Sequence, residues 1–134
     1  MKDRIYVTRM DLEKLQSIID NRVPADAEER RNLERLKEEL DRAEVVTHNA
    51  LPRNVITMRS EVQFVDLDTR EIKVCKLVFP SERVPGTESI SILAPIGTAL
   101  LGYSTGATIH WPVPKGIRRL KVLKIVQPRA ATAG

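Results

Sequence analysis

The sequence predicts an α+β protein in two parts. Residues 1–49 read as an N-terminal antiparallel helical hairpin, a short coiled coil, and residues 50–134 as an antiparallel sheet of about five strands carrying one short helix. Three observations carry this. Apolar residues recur at helical spacing through the first third. After it they alternate one by one. The charge divides at the same place: residues 1–49 hold ten Lys/Arg against twelve Asp/Glu, net −2, and residues 50–134 hold twelve against six, net +6, which together give the chain's +4. Such a split marks units with different surfaces.

Thr8 stands as an N-cap ahead of RMDLEKLQSIIDNR. Leu12, Leu15, Ile18 and Ile19 fall on one face with charges between them. VPADA breaks the pattern. EERRNLERLKEELDRAEVV follows, with Leu33, Leu36, Leu40 and Ala43 on one stripe. One narrow apolar stripe on each helix and a short link between them predict the hairpin. Helices of about 15 and 19 residues measure roughly 22 and 28 Å at the helical rise. THNALPRN, with Pro52, is the linker.

VITMRSEVQFVD alternates, with Ile56, Met58, Val62 and Phe64 on one face and Thr57, Arg59, Glu61 and Gln63 on the other. DLDTRE turns the chain into IKVCKLVF, whose alternation slips near Cys75–Lys76 and predicts a bulge there. PSERVPG is a loop and ESISILA a third strand. PIGTALLG is the short helix: Pro95 suits a first turn and Gly102 the position after the last. ATIHWPVP places Ala107, Ile109, Trp111 and Val113 on one face, KG turns, and IRRLKVLKIV is the last strand. QPRAATAG is expected to be a disordered tail. Ile96, Ala99 and Leu100 should close a core over Phe64, Ile90, Ile92, Ile109, Trp111 and Val122.

A chain of 134 residues can bury a core without covalent staples. Its single Cys75, in an apolar run, excludes an internal disulfide and reads as a buried, inert thiol. Met1–Tyr6 is mostly charged, unlike a leader, and no apolar run reaches the ~18 residues of a membrane span. We therefore expect a cytoplasmic protein with no membrane partner.

GTALLGYS, residues 97–104, has the glycine spacing of a phosphate-binding loop, but Tyr103 stands where that motif needs Lys. The helix also lies between the glycines instead of after them, so the stretch reads as a capped helix. PADAEE sets Asp26, Glu28 and Glu29 at the hairpin tip. Asp26 and Glu29 share one helical turn. That spacing suits a capping box, and it also suits a pair of carboxylates on a Mg²⁺. His48 and His110 are isolated, and no Cys/His spacing suggests zinc. Lys115, Arg118, Arg119, Lys121 and Lys124 could follow phosphates. The five aromatics, Tyr6, Phe64, Phe79, Tyr103 and Trp111, fall mostly on apolar positions, so a solvated or protein-facing basic surface fits better.

The helical hairpin followed by ISILAPIGTALLGYSTGATIHWPVPKGIRRLKVLKI resembles the bacterial Gre transcript-cleavage factors. Through ELDRAEVV, LPRNVITMRSEVQF, VCKLVFPSE, LAPIGTALLG and IHWPVPKG it is most similar to the Rnk branch of that family, over most of the chain. The resemblance implies an FKBP-like fold for residues 50–134. It implies a partner, bacterial RNA polymerase, docked at the mouth of its secondary channel, with no DNA sequence specificity and no cofactor. It places docking in the strand-to-helix turn, at Leu93, Ala94, Pro95 and Ile96. Leu93-Ala94 stand where some Gre members carry Asp-Ser.

In the family, acidic residues at the tip of a longer arm help hold the catalytic metal. An arm under ~30 Å should not reach the active centre. The expectation is thus a non-enzymatic transcription modulator that competes with Gre factors, and a monomer, although the hairpin stripe offers a seam for a second copy. A genuine cleavage factor is the first alternative. An FKBP-like prolyl isomerase or chaperone is the second, disfavoured by an aromatic content of 4%, which predicts a pocket filled with Ile and Leu. A projecting hairpin would suit channel insertion, and one folded back on the sheet would be part of the core.

Overall fold

A computed structural model describes residues 5–83, 88–113 and 115–128, with backbone alone at 112 and 113. The first element among the described residues is a two-residue strand, β1 (Tyr6–Val7), which the sequence did not disclose. Thr8 then caps α1 (Arg9–Asn21), its Oγ1 accepting from the Asp11 amide at 3.2 Å. After a short connector comes α2 (Ala27–Asp41). The expected continuation of this helix to Val46 is corrected. Arg42 ends it, and Glu44–Val45 form β2, parallel to β1 with Tyr6 opposite Glu44 and Val7 opposite Val45. β-branched Val45 and Val46 favour an extended backbone, and the carbonyls of Ile5 and Val7 accept from the Glu44 and Val46 amides at 2.9 Å.

The main sheet contains β3 (Glu61–Asp66), β4 (Ile72–Val78), β5 (Ser89–Ser91), β6 (Thr108–Val113) and β7 (Gly116–Val126) in the order β5-β4-β3-β7-β6. It is not wholly antiparallel. β5 runs parallel to β4, because the chain crosses back through a 3-10 turn at Pro80–Glu82 before pairing. The long strand expected from Val55 is also broken. Thr57 and Ser60 fold into a buried turn, with the Thr57 amide donating to Ser60 Oγ at 2.9 Å, and β3 begins only at Glu61. The expected bulge is in the wrong strand: β4 pairs with β3 in unbroken register through Cys75, and the irregularity lies in β7 opposite Gln63–Phe64. α3 (Pro95–Leu100) packs on the sheet, and Gly102 follows it at φ 95°. Of the expected tail, Gln127 is anchored, its Nε2 donating to the carbonyls of Pro52 and Val55, and 129–134 lie outside the described residues.

One core runs through both parts. Leu15, Leu36 and Leu40 of the helices sit in the same cluster as Ile56, Val62, Leu77, Ile92, Leu100 and Val122. The helical stripes therefore serve the sheet as well as each other. A charged latch reinforces this. Arg59, in the left-handed region at φ 65°, reaches Asp11 of α1 at 3.3 Å and Glu82 at 2.7 Å, and lies over the Phe79 ring at 5.1 Å.

Candidate functional site

The segment from β5 into α3 is built with little freedom. The Ser91 carbonyl accepts from the Ala94 amide at 3.0 Å, and Ser91 Oγ from the Leu93 amide at 3.1 Å. Pro95 opens α3, where its missing N–H costs nothing and its fixed φ suits the first turn. Gly97 follows because nothing larger fits. A Cβ there would stand 2.1 Å from the Ser91 carbonyl oxygen. Thr98, fully buried, donates from Oγ1 to the Ile92 carbonyl at 2.7 Å.

Asn32 of α2 completes the turn. Its Nδ2 donates to the Leu93 carbonyl at 2.8 Å and to Thr98 Oγ1 at 3.1 Å. Because a carbonyl can only accept, this orientation of the amide is fixed. The other end, Oδ1, is buried and has no partner among the described residues. A buried acceptor left unpaired has a cost, so the two bonds it accompanies hold α2 in one register against the turn. Sequence reasoning missed Asn32. The signal was present: 32, 36 and 40 fall four apart, on the apolar stripe.

Of the four residues expected to dock, Pro95 is exposed and Leu93, Ala94 and Ile96 are half-buried. Ile96 lines a cavity of about 250 Å³ together with Phe64, Ile90, Trp111 and Leu120, and Lys73, Glu88 and Arg118 stand among its lining residues. Against expectation this space is open, and two aromatics share its lining with the aliphatics. Cys75 also borders it, and burial pushes its thiol up to about 11, well out of the reactive range.

The tip lies elsewhere. Asp26 caps α2, its carboxylate accepting from the Glu29 amide at 2.8 Å. Glu29 accepts from Arg22 Nε at 2.5 Å, and that hydrogen bond holds its carboxyl below the ordinary range. Glu28 is exposed, and Val23 nearby is 86% exposed. The tip carboxylates are thus divided between a cap, an ion pair and solvent. Among the described residues no three His, Cys, Asp or Glu side chains converge as a metal would need, and no helix is long and apolar enough to cross a membrane. His48 sits in a 3-10 turn and His110 is exposed on β6. GTALLGYS is the body and end of α3, with a bridge from Ser104 to Val55, and among the described residues the elements after it are strands.

A short helix opened by Pro on a curled sheet, with two helices packed beside it, is the architecture of a bacterial elongation-factor domain. The family model "Transcription elongation factor, GreA/GreB, C-term" matches residues 51–127, and the chain belongs to that family. It falls in the Rnk branch: the model "Rnk N-terminus" matches residues 3–46. The chain is 41% identical over 98 residues to the "Regulator of nucleoside diphosphate kinase" of Escherichia coli K12, covering 72% of each. It is 31% identical over 90 residues to "Transcription elongation factor GreA" of Azorhizobium caulinodans, covering 67% of this chain and 57% of that protein. Its fold is similar to that of a GreA/GreB elongation factor from Nitrosomonas europaea, with a TM-score of 0.80 and 34% identity over 92% of this chain and 98% of the other.

Proposed function

We propose that the protein binds bacterial RNA polymerase at the entrance of its secondary channel, through the turn at Leu93–Ile96, and competes there with Gre factors without promoting transcript cleavage. Residues 50–134 supply the docking body; the helices pack into its core, and only the end of the α1–α2 pair beyond Asn32 is left to enter the channel. The observation that carries the reading is the length of free arm. Asn32 is the sixth residue of α2 and already touches the docking turn, so the helix extends only about 8 Å beyond it. The tip carboxylates ride on that short overhang. One of them caps the helix and another is paired with Arg22.

Competition binding tests this. Labelled protein should bind core polymerase and be displaced by a Gre factor. Absence of binding, or binding indifferent to the competitor, refutes the proposal. The Asp26/Glu29 spacing favours a second reading, a working cleavage factor. Mg²⁺-dependent cleavage by stalled complexes, lost in Asp26→Asn and Glu29→Gln, would establish it. Asp26→Asn is the informative variant, because Asn caps a helix as well as Asp while removing the charge. The cavity beside Ile96, with Phe64 and Trp111, keeps the isomerase reading testable. Proline isomerisation above the buffer rate would support that activity, and we expect none.

A further inference from the structure

The solvent face of the sheet is shaped by the irregularity in β7. β3 pairs with β7 from Glu61–Val126 to Gln63–Lys124, then resumes at Phe64–Val122, leaving Leu123 as an extra residue. Strand side chains alternate, so residues three apart ordinarily point to opposite faces. The bulge resets that alternation. Val122 and Ile125 both turn to the core, and Lys121 and Lys124 both turn outward. In a regular strand, burying Val122 and Ile125 together would be impossible.

The register then places Lys121 opposite Val65, itself opposite Ile72, and Lys124 opposite Gln63, itself opposite Val74. An aliphatic column on β4 and β3 thus runs beside a basic column on β7. Ile72 is 59% exposed and Val74 41%. Between the columns lies a depression of about 140 Å³, lined by Glu61, Gln63, Val74, Lys124 and Val126. Among the described residues Lys121 and Lys124 form no ion pair. No Phe, Tyr or Trp stands in these rows, so nothing there would stack a base.

We propose that this outer face, on the side of the sheet away from α3, docks an acidic amphipathic helix of a partner protein. Aliphatic side chains of that helix cover Ile72, Val65 and Val74, and its carboxylates meet Lys121 and Lys124. The charge complementarity favours an anion. The exposed aliphatic column favours a protein over a nucleic-acid backbone, which would leave Ile72 and Val74 in water.

Fluorescence anisotropy with the full chain tests it, using a labelled helical peptide of about 18 residues with leucines along one face and glutamates beside them. Saturable binding should weaken about tenfold in Lys121→Glu/Lys124→Glu and several-fold in Ile72→Ser/Val74→Ser, and stay unchanged in Lys37→Glu on α2. A leucine/lysine peptide should not bind. The proposal is overturned if the leucine/glutamate peptide does not bind, or binds the double Lys→Glu variant as tightly as the native chain. It is also overturned if the leucine/lysine peptide binds equally, or if single-stranded RNA binds more tightly through the same lysines. Should the Glu variants melt well below the native chain, Lys121→Gln/Lys124→Gln replaces them under the same criteria. The assay contains no polymerase, so its outcome is separate from that of the channel-docking reading.

Discussion

The turn from β5 into α3 and the connector between α1 and α2 lie at opposite extremes of constraint. At the turn, Ser91, Ile92, Leu93, Ala94, Gly97 and Thr98 are held by backbone bonds, by hydroxyls or by Asn32 reaching across from α2. At the tip, one cap and one ion pair hold a connector that is otherwise exposed. The contrast teaches where stability and geometry reside. The turn is assembled by both parts of the molecule, so changing it alters the fold. The tip is decoration on a finished helix, and changing it should alter little except its charge.

The largest expected effect is at Gly97. Gly97→Ala drives a Cβ into the Ser91 carbonyl, a backbone atom that cannot swing aside. We expect a loss of about 3 kcal/mol, read as a lower urea midpoint. Asn32→Leu removes both bonds to the turn while deleting an unpaired oxygen of its own. It should cost about 1–2 kcal/mol and weaken polymerase binding. Unchanged binding would show that the turn does not need α2, and the comparison would fail.

At Arg59 the backbone conformation can be separated from the ion pairs. Arg59→Ala loses Asp11 and Glu82, about 1 kcal/mol for partly exposed pairs. At an ordinary φ the glycine variant would be lower still by about 0.7 kcal/mol. Here relief of the left-handed strain should bring the two variants level in a melt.

Asp66 sharpens the contrast by pH. The amides of Asp68 and Thr69 hold its carboxyl below the ordinary range. A depressed carboxyl stabilises above its unfolded value, about pH 4, and the contribution disappears as pH falls through the lower folded value. Asp66→Asn should therefore flatten the acid limb of the stability curve, measured by denaturant titrations from neutral pH downward.

The smallest effects are at the tip. Asp26→Ala should cost about 1 kcal/mol, and Asp26→Asn almost nothing. Glu28→Gln should fall within about 0.5 kcal/mol of the native chain.

Local chemistry made much of this legible. Thr8, Asp26, Pro95 and Gly102 were readable as helix boundaries because caps and Pro/Gly positions act through neighbours in the chain. The features that escaped depend on distant partners. Val45–Val46 continue a helical pattern until β1 offers them a strand to join. Thr57–Ser60 alternate correctly, yet their hydroxyls close a turn. The alternation of β4 predicts a bulge at Cys75–Lys76, yet the bulge stands in β7, where burying both Val122 and Ile125 requires it. Asn32 was hidden among charges, and only its place on the apolar stripe hinted at its burial.

The parallel pair β1–β2 has a mechanical consequence. The helical arm enters and leaves through neighbouring strands, clasped by the Ile5 and Val7 carbonyls. It is fastened a second time at Asn32, toward the end of α2 remote from β2. A beam with one support can pivot, and a beam fastened at two separated points can only bend. A partner meeting this protein therefore meets an arm with a set angle, and the fit between them must come from the partner's side.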